Sequence, residues 1–340
     1  MLALRAELRQ QTYQPGPYRT FFIYDPKKRC ISAAPFRDRV VHHALCQIIH
    51  PELEKRLIAD TYANRTGKGT HKAIRRCQYF LRRHDYVLKA DIQKYFPSID
   101  LEILKSQIAR YIKCPRTRWL TDLIIDNSNP QEIVLNYYAG DHLFTPVERR
   151  KGLPMGNLTS QLFANFYLSG FDHFVKEVLR RPYIRYVDDF LVFGDSRAAL
   201  EKDLERIKNW LAEHLRLNLH PDKTHIVPCR QGITFLGQRI FRDYRRLRRQ
   251  NVQRFYKRLR RRLKDFSADE LPPEKLEAQL NSWMGHARQA DTWRLRNNIR
   301  RQLIFQHRLL VLETPKGAWR VLERPQKKAG GQPESDPPAF

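Results

Sequence analysis

Asp188 and Asp189 stand side by side inside an apolar, aromatic run that extends from Tyr183 to Phe193. An acid pair withdrawn from water is costly unless something neutralises it. Hard divalent cations are the usual partners of such oxygens. The run therefore reads as a strand, a tight turn carrying both acids and a second strand, with a metal site at the turn. Taken alone, it would also suit a plain polar Asp-Asp turn. A third acid, Asp91, ends the strand-like segment from Tyr86 to Ile92. Ser98 and Asp100 follow, and either can cap a helix over residues 101–112. An acid at a strand end, just before a helix, is placed to face a cleft. Three acids from two apolar strands can hold two magnesium ions about 3.5–4 Å apart, an arrangement suited to in-line phosphoryl transfer.

These acids need a scaffold, and 340 residues with 41% hydrophobic content suffice for two or three cores. The net charge of +27 calls for a polyanionic partner, nucleic acid first and an anionic membrane surface second. No apolar run approaches the ~20 residues of a membrane span, and MLALRAELRQ does not read as a signal peptide. Cys30, Cys46, Cys77, Cys114 and Cys229 are scattered without CxxC spacing, so neither zinc nor a disulfide framework is expected. A reducing compartment fits them best. His42 and His43 are adjacent on a predicted helix, hence on different faces, and read as solvated or hydrogen-bonded residues.

Residues 1–20 read as a polar arm. Two strands, Phe21–Tyr24 and Ile31–Ala34, flank a basic turn over residues 25–29. Helices are predicted over 37–57, 158–179 and 198–215, and a short strand hairpin over 232–240. Residues 245–264 hold 11 Arg or Lys and no acid. Leu247, Val252, Phe255, Leu259 and Leu263 give them a partial apolar stripe, so they read as one basic amphipathic helix. Residues 276–303 continue as helix. Pro and Gly rise from Thr314, and 325–340 reads as a disordered tail.

Seven segments, in order, resemble the motifs of the reverse transcriptase family across about residues 20–305. They are RCISAAPFRDRVVHHAL, TYANRTGKGTHKAI, LKADIQKYF, KGLPMGNLTSQLFANFYLSGFD, YVDDF, LNLHPDKTHI and FLGQRI. The resemblance implies an α+β right-hand polymerase. Fingers and palm would occupy 21–245, with an antiparallel sheet packed on helices. A helical thumb would follow at 246–312, with a flexible tail at 313–340. Within the family, Met155-Gly156-Asn157-Leu158-Thr159-Ser160-Gln161 is most similar to the reverse transcriptases of diversity-generating retroelements. That group has an apolar residue before the Gly, usually Ile, Val or Leu, and Gln after the Ser. Most other relatives have Gln and Pro there. The chain also has no room for an RNase H, maturase or endonuclease region, which argues against a retroviral or full group II intron protein.

The resemblance implies RNA-directed DNA synthesis on a structured template RNA, with dNTPs as substrates, two Mg2+ ions as cofactor and an RNA/cDNA duplex as product. For the retroelement group it further implies adenine-directed mutagenesis, a small basic oligomeric accessory protein and a cytoplasmic setting in a prokaryote or phage. Asp91, Asp188 and Asp189 would bind the metals, together with the backbone carbonyl of Ile92. Lys223 would protonate the departing pyrophosphate. Phe96 matches the position that excludes a ribose 2′-hydroxyl. Lys27, Arg29 and Arg37 would meet the triphosphate, where guanidinium forks suit phosphate oxygens. Met155 and Gly156 would lie by the nucleotide and template base. Gln161 would contact template or nucleotide. Arg65 and Lys68 sit in a loop that lacks phosphate-loop spacing and would meet template phosphates. Phe235, Leu236 and Gly237 match the primer-grip hairpin, and Arg254, Lys257, Arg258 and Arg261 would grip the duplex. Two other readings share these residues: a defence-associated or retron-like reverse transcriptase, and a catalytically silent RNA-binding scaffold.

Overall fold

Strands rich in β-branched and aromatic residues at successive positions are built to be covered on both faces. Residues 86–91 and 189–194 follow that rule. The computed structural model describes residues 2–24, 28–129, 132–268, 270–306, 309–314 and 318–323. The chain divides into two compact units. The first runs to Ile233 and includes Phe241–Asp243; the second comprises Thr234–Ile240 and the chain from Tyr244 onward. The hairpin expected to belong with the sheet domain thus groups with the helical unit instead.

In the first unit, strands β1 (Arg19–Ile23) and β2 (Arg29–Ala33) form an antiparallel hairpin. The central sheet has four antiparallel strands, β3 (Tyr86–Asp91), β4 (Tyr183–Tyr186), β5 (Asp189–Gly194) and β6 (His225–Pro228), in the order β4-β5-β3-β6. Side chains alternate across it. Leu88, Ala90, Tyr183, Phe190 and Val192 belong to a large core that includes Phe163, Phe166 and Phe171 from the helices Leu158–Tyr167 and Ser169–His173. Ile207 and Leu211 of the helix Arg197–Leu215 join the same core. Helix Thr70–Arg83 packs on the other face, where Phe80 meets Phe193 with ring centroids 5.2 Å apart. Asp100, not Ser98, caps the next helix, accepting from the amides of Glu102 and Ile103.

Several expectations are corrected. The polar N-terminal arm contains a helix, Leu2–Gln10, whose Leu4 joins the main core, and Tyr13 beyond it is fully buried. The expected helix 158–179 is interrupted at Leu168 and ends in a wider π-type turn over Phe174–Val178.

In the second unit, β7 (Ile233–Phe235) begins at the boundary and pairs into a three-stranded sheet with β8 (Gln238–Ile240) and β9 (Arg245–Leu247). Residues 245–247 are therefore strand, and the basic helix starts only at Arg249 and runs to Ser267. Helices Pro273–Ala287 and Trp293–Gln306 follow, separated where Thr292 turns back to bond the Ala287 carbonyl. Within the predicted tail the described residues include a strand, Trp319–Glu323. Strands β10 (Leu309–Glu313) and β11 (Trp319–Glu323) pair, and Trp319 and Val321 join the helical core. Residues 324–340 lie outside the described residues.

Candidate active site

Antiparallel register brings the three acids together. Asp91, last in β3, lies directly opposite Asp189, first in β5. Tyr186 pairs with Asp189, leaving Val187 and Asp188 as a two-residue turn. The Ile92 amide donates to the Asp188 carbonyl at 3.2 Å, tying the end of β3 to that turn. Like charges directly opposite on a sheet are unfavourable. Burial raises the Asp188 carboxyl to about 6, with Asp91 adding to the rise. Burial likewise raises Asp189 to about 7, against the pull of Lys89.

Two lysines moderate this charge. The ammonium of Lys223 donates to Asp91 Oδ1 at 2.6 Å, and that of Lys89 lies 3.5 Å from Asp189 Oδ2. Lys89 was missed in the sequence, although the period of two along β3 puts it on the face of Asp91. Asp189 Oδ1 is buried and has no hydrogen-bond partner. An orphaned anionic oxygen beside two further carboxylates fits a divalent cation. Among the described residues, however, no three His, Cys, Asp or Glu side chains are drawn into a ready metal cluster.

The other predicted residues divide. Arg29, first in β2, is near enough to lower the Asp188 pKa. Ile92 is buried, and Phe96 is half-buried, edge-on to Tyr95, with its carbonyl accepting from the Leu153 amide. The Met155 carbonyl accepts from the Ser32 amide of β2. Gly156, at φ +119°, sits so close to β2 that a Cβ would lie 2.9 Å from Ile31. Its freedom thus serves that contact. Gln161 is exposed on its helix.

Arg37 ion-pairs with Glu7 and donates to the Gln14 carbonyl, fastening the N-terminal helix. Arg65 is spent internally on Glu54 and the carbonyls of Ile58 and Thr61, and Lys68 donates to the Ala59 carbonyl. Arg65 is therefore not available to template phosphates in this conformation. Lys27 lies outside the described residues.

In the second unit, Leu236 and Gly237 both have positive φ, the two-residue turn that matches strand twist. The Phe235 ring is fully buried. Arg254, Arg258 and Arg261 line one groove with Trp283, whereas Lys257 lines a different one with Tyr256. The four are thus not one surface.

The family model described as reverse transcriptase (RNA-dependent DNA polymerase) matches residues 24–240. The chain belongs to the reverse transcriptase family. This reverse transcriptase is 26% identical over 281 residues to protein YkfC of Escherichia coli K12, covering 70% of each chain. It is also 26% identical over 78 residues to nuclear intron maturase 1, mitochondrial, of Arabidopsis thaliana, covering 23% of this chain and 11% of that protein. Among solved structures it resembles telomerase from Candida albicans, in complex with a fragment of telomeric RNA. The TM-score is 0.48 at 13% identity, with 70% of this chain and 47% of that one covered. Apo telomerase from Candida tropicalis gives a TM-score of 0.44 at 13% identity, covering 67% and 47%. The reverse transcriptase thus spans about half the length of these telomerase chains. Among the described residues no helix is long and apolar enough to cross a membrane.

Proposed function

We propose that the chain copies a structured RNA into cDNA by nucleotidyl transfer at Asp91, Asp188 and Asp189. The observation that carries this reading is the buried, partnerless Oδ1 of Asp189, in a sheet register that sets Asp91 opposite it. These three acids would hold two magnesium ions, which when bound neutralise the triphosphate and lower the pKa of the attacking 3′-hydroxyl. Lys223, which donates to Asp91, would give a proton to the leaving pyrophosphate. Arg29 would meet the triphosphate, and Phe96 would exclude a ribose 2′-hydroxyl. In the second unit, residues 246–312 act as the thumb, with Arg254, Arg258 and Arg261 on the duplex.

We further assign the enzyme to a diversity-generating retroelement, with error-prone copying at adenines and a small basic accessory protein as partner. Met155 to Gln161 support that assignment, because the thioether of Met155 offers no strong hydrogen bond where most relatives place a glutamine. One experiment tests both levels: the purified protein with its co-purifying RNA is given dNTPs or NTPs, and the product is sequenced. The expected product is cDNA made from dNTPs alone, with errors at template adenines, and none from an Asp188→Ala/Asp189→Ala variant. No cDNA from the wild type overturns the polymerase reading. Accurate cDNA overturns only the retroelement assignment.

A further inference from the structure

Val187 opens the two-residue turn that carries Asp188, and its φ is +58°. Positive φ at this position alone is the pattern of a II′ turn, which favours glycine there. A β-branched side chain in the left-handed region is a steric outlier and persists only where its surroundings enforce it. Arg185, two residues earlier, is fully buried on the sheet face opposite Asp189.

Every N–H of its guanidinium has an acceptor. Nε donates to Asp172 Oδ1 at 2.7 Å, and Nη2 to Asp172 Oδ2 at 2.6 Å and the Asn165 carbonyl at 2.9 Å. Nη1 donates to Asn165 Oδ1 at 3.1 Å and to the Val187 carbonyl at 3.0 Å. Asp172 is itself held by the hydroxyls of Thr61 and Tyr183. A buried ion pair adds little to stability compared with apolar packing of the same volume, so stability alone does not explain an arginine here. A planar fork that reaches the turn carbonyl does, because neither lysine nor an apolar residue can make all five bonds at once.

We propose that Arg185 is a positioning residue that holds the strained Val187 turn, and so Asp188, in the geometry that binds metal. The proposal rests on the polymerase reading for its link to activity. Its test compares wild type, Arg185→Lys and Arg185→Lys/Val187→Gly. Lysine keeps the charge beside Asp172 but loses the fork, and glycine adopts positive φ without help. Arg185→Lys should lower kcat about 10- to 100-fold, with the dNTP KM changed far less, as for a misplaced reacting group. Mn2+ binding to the protein without nucleic acid, followed by electron paramagnetic resonance, should weaken about tenfold in parallel.

Adding Val187→Gly should recover much of both losses without restoring thermal stability. A merely structural arginine would give losses that follow stability and that glycine deepens. Unchanged kcat and Mn2+ affinity in folded Arg185→Lys, or losses that glycine leaves in place, overturn the proposal. Should Arg185→Lys fail to fold, Asp172→Asn, which accepts from the guanidinium through one oxygen only and so loosens the fork, replaces it in the same comparison. If the wild type makes no cDNA the polymerase reading falls, and the Mn2+ titration still decides whether Arg185 holds the turn.

Discussion

Replacing Asp189 by asparagine should make the metal-free protein more stable at pH 8 while abolishing DNA synthesis. Burial is the main cause of the rise of this carboxyl from 3.8 to about 7; Lys89 opposes it, and Asp91 and Asp188 add to it. A displacement of that size is a preference for the neutral form of ~4 kcal/mol once the pH exceeds both values. Asparagine keeps the shape without the charge. The pull of Lys89, 3.5 Å away, is already contained in that figure. The gain at pH 8 is therefore on the order of 4 kcal/mol.

The sign with pH follows from an acid whose folded pKa is raised. Its contribution to stability is fully present below 3.8 and is lost as the pH rises through about 7. The advantage of Asp189→Asn must then be larger at pH 8 than at pH 5. Urea unfolding in EDTA at the two pH values measures it, and added magnesium should stabilise wild type more than the variant. A variant no more stable than wild type at pH 8, or an equal gap at both pH values, would refute the reasoning.

Four further outcomes are expected. Trp319→Ala should cost about 3–5 kcal/mol, because this buried ring joins the helical core and its backbone is clasped by Asn281; urea unfolding reads it. Changing Arg254, Arg258 and Arg261 together to Gln should reduce the salt slope of RNA binding by about 3, measured by titration across salt concentrations. Phe96→Ala should raise ribonucleotide incorporation on the order of tenfold or more in primer extension. Met155→Gln should lower the misincorporation rate in sequenced cDNA, and an unchanged rate would remove the proposed link to fidelity.

The strands of the central sheet were legible because their residue types and the acids at their ends leave few alternatives. Asp91 and Asp189 face each other in the register, the arrangement that the proposed metal site needs. Lys89 was legible in principle, since strand periodicity puts it beside Asp91, but a lysine two residues before an acid is ordinary enough to pass over. The partners of Arg185 could not be read locally. Asp172 and Asn165 come from the next helical segments upstream, and only the tertiary fold brings them under the turn. The N-terminal helix was hidden by its polarity: Leu4 alone among its residues is buried. The strand Trp319–Glu323 was hidden by the rise of Pro and Gly from Thr314 onward, a composition that suits turns as readily as a tail.

Three departures from ordinary folding rules coincide at the turn between β4 and β5. Val187 holds a backbone conformation that its side chain disfavours, Asp189 Oδ1 is buried without a partner, and Asp91 and Asp189 are like charges set opposite one another. Each costs stability. Natural chains keep such conflicts mainly where function requires them. The neighbouring groups support the same reading: Lys223, Lys89 and Arg29 supply positive charge to the acids, and the Arg185 fork closes on the Val187 carbonyl from below. A purely structural turn could relieve all three conflicts with a glycine and a neutral pair of residues. The chain instead surrounds the conflicts with cations, as the proposed site for metal and a polyanionic substrate would require.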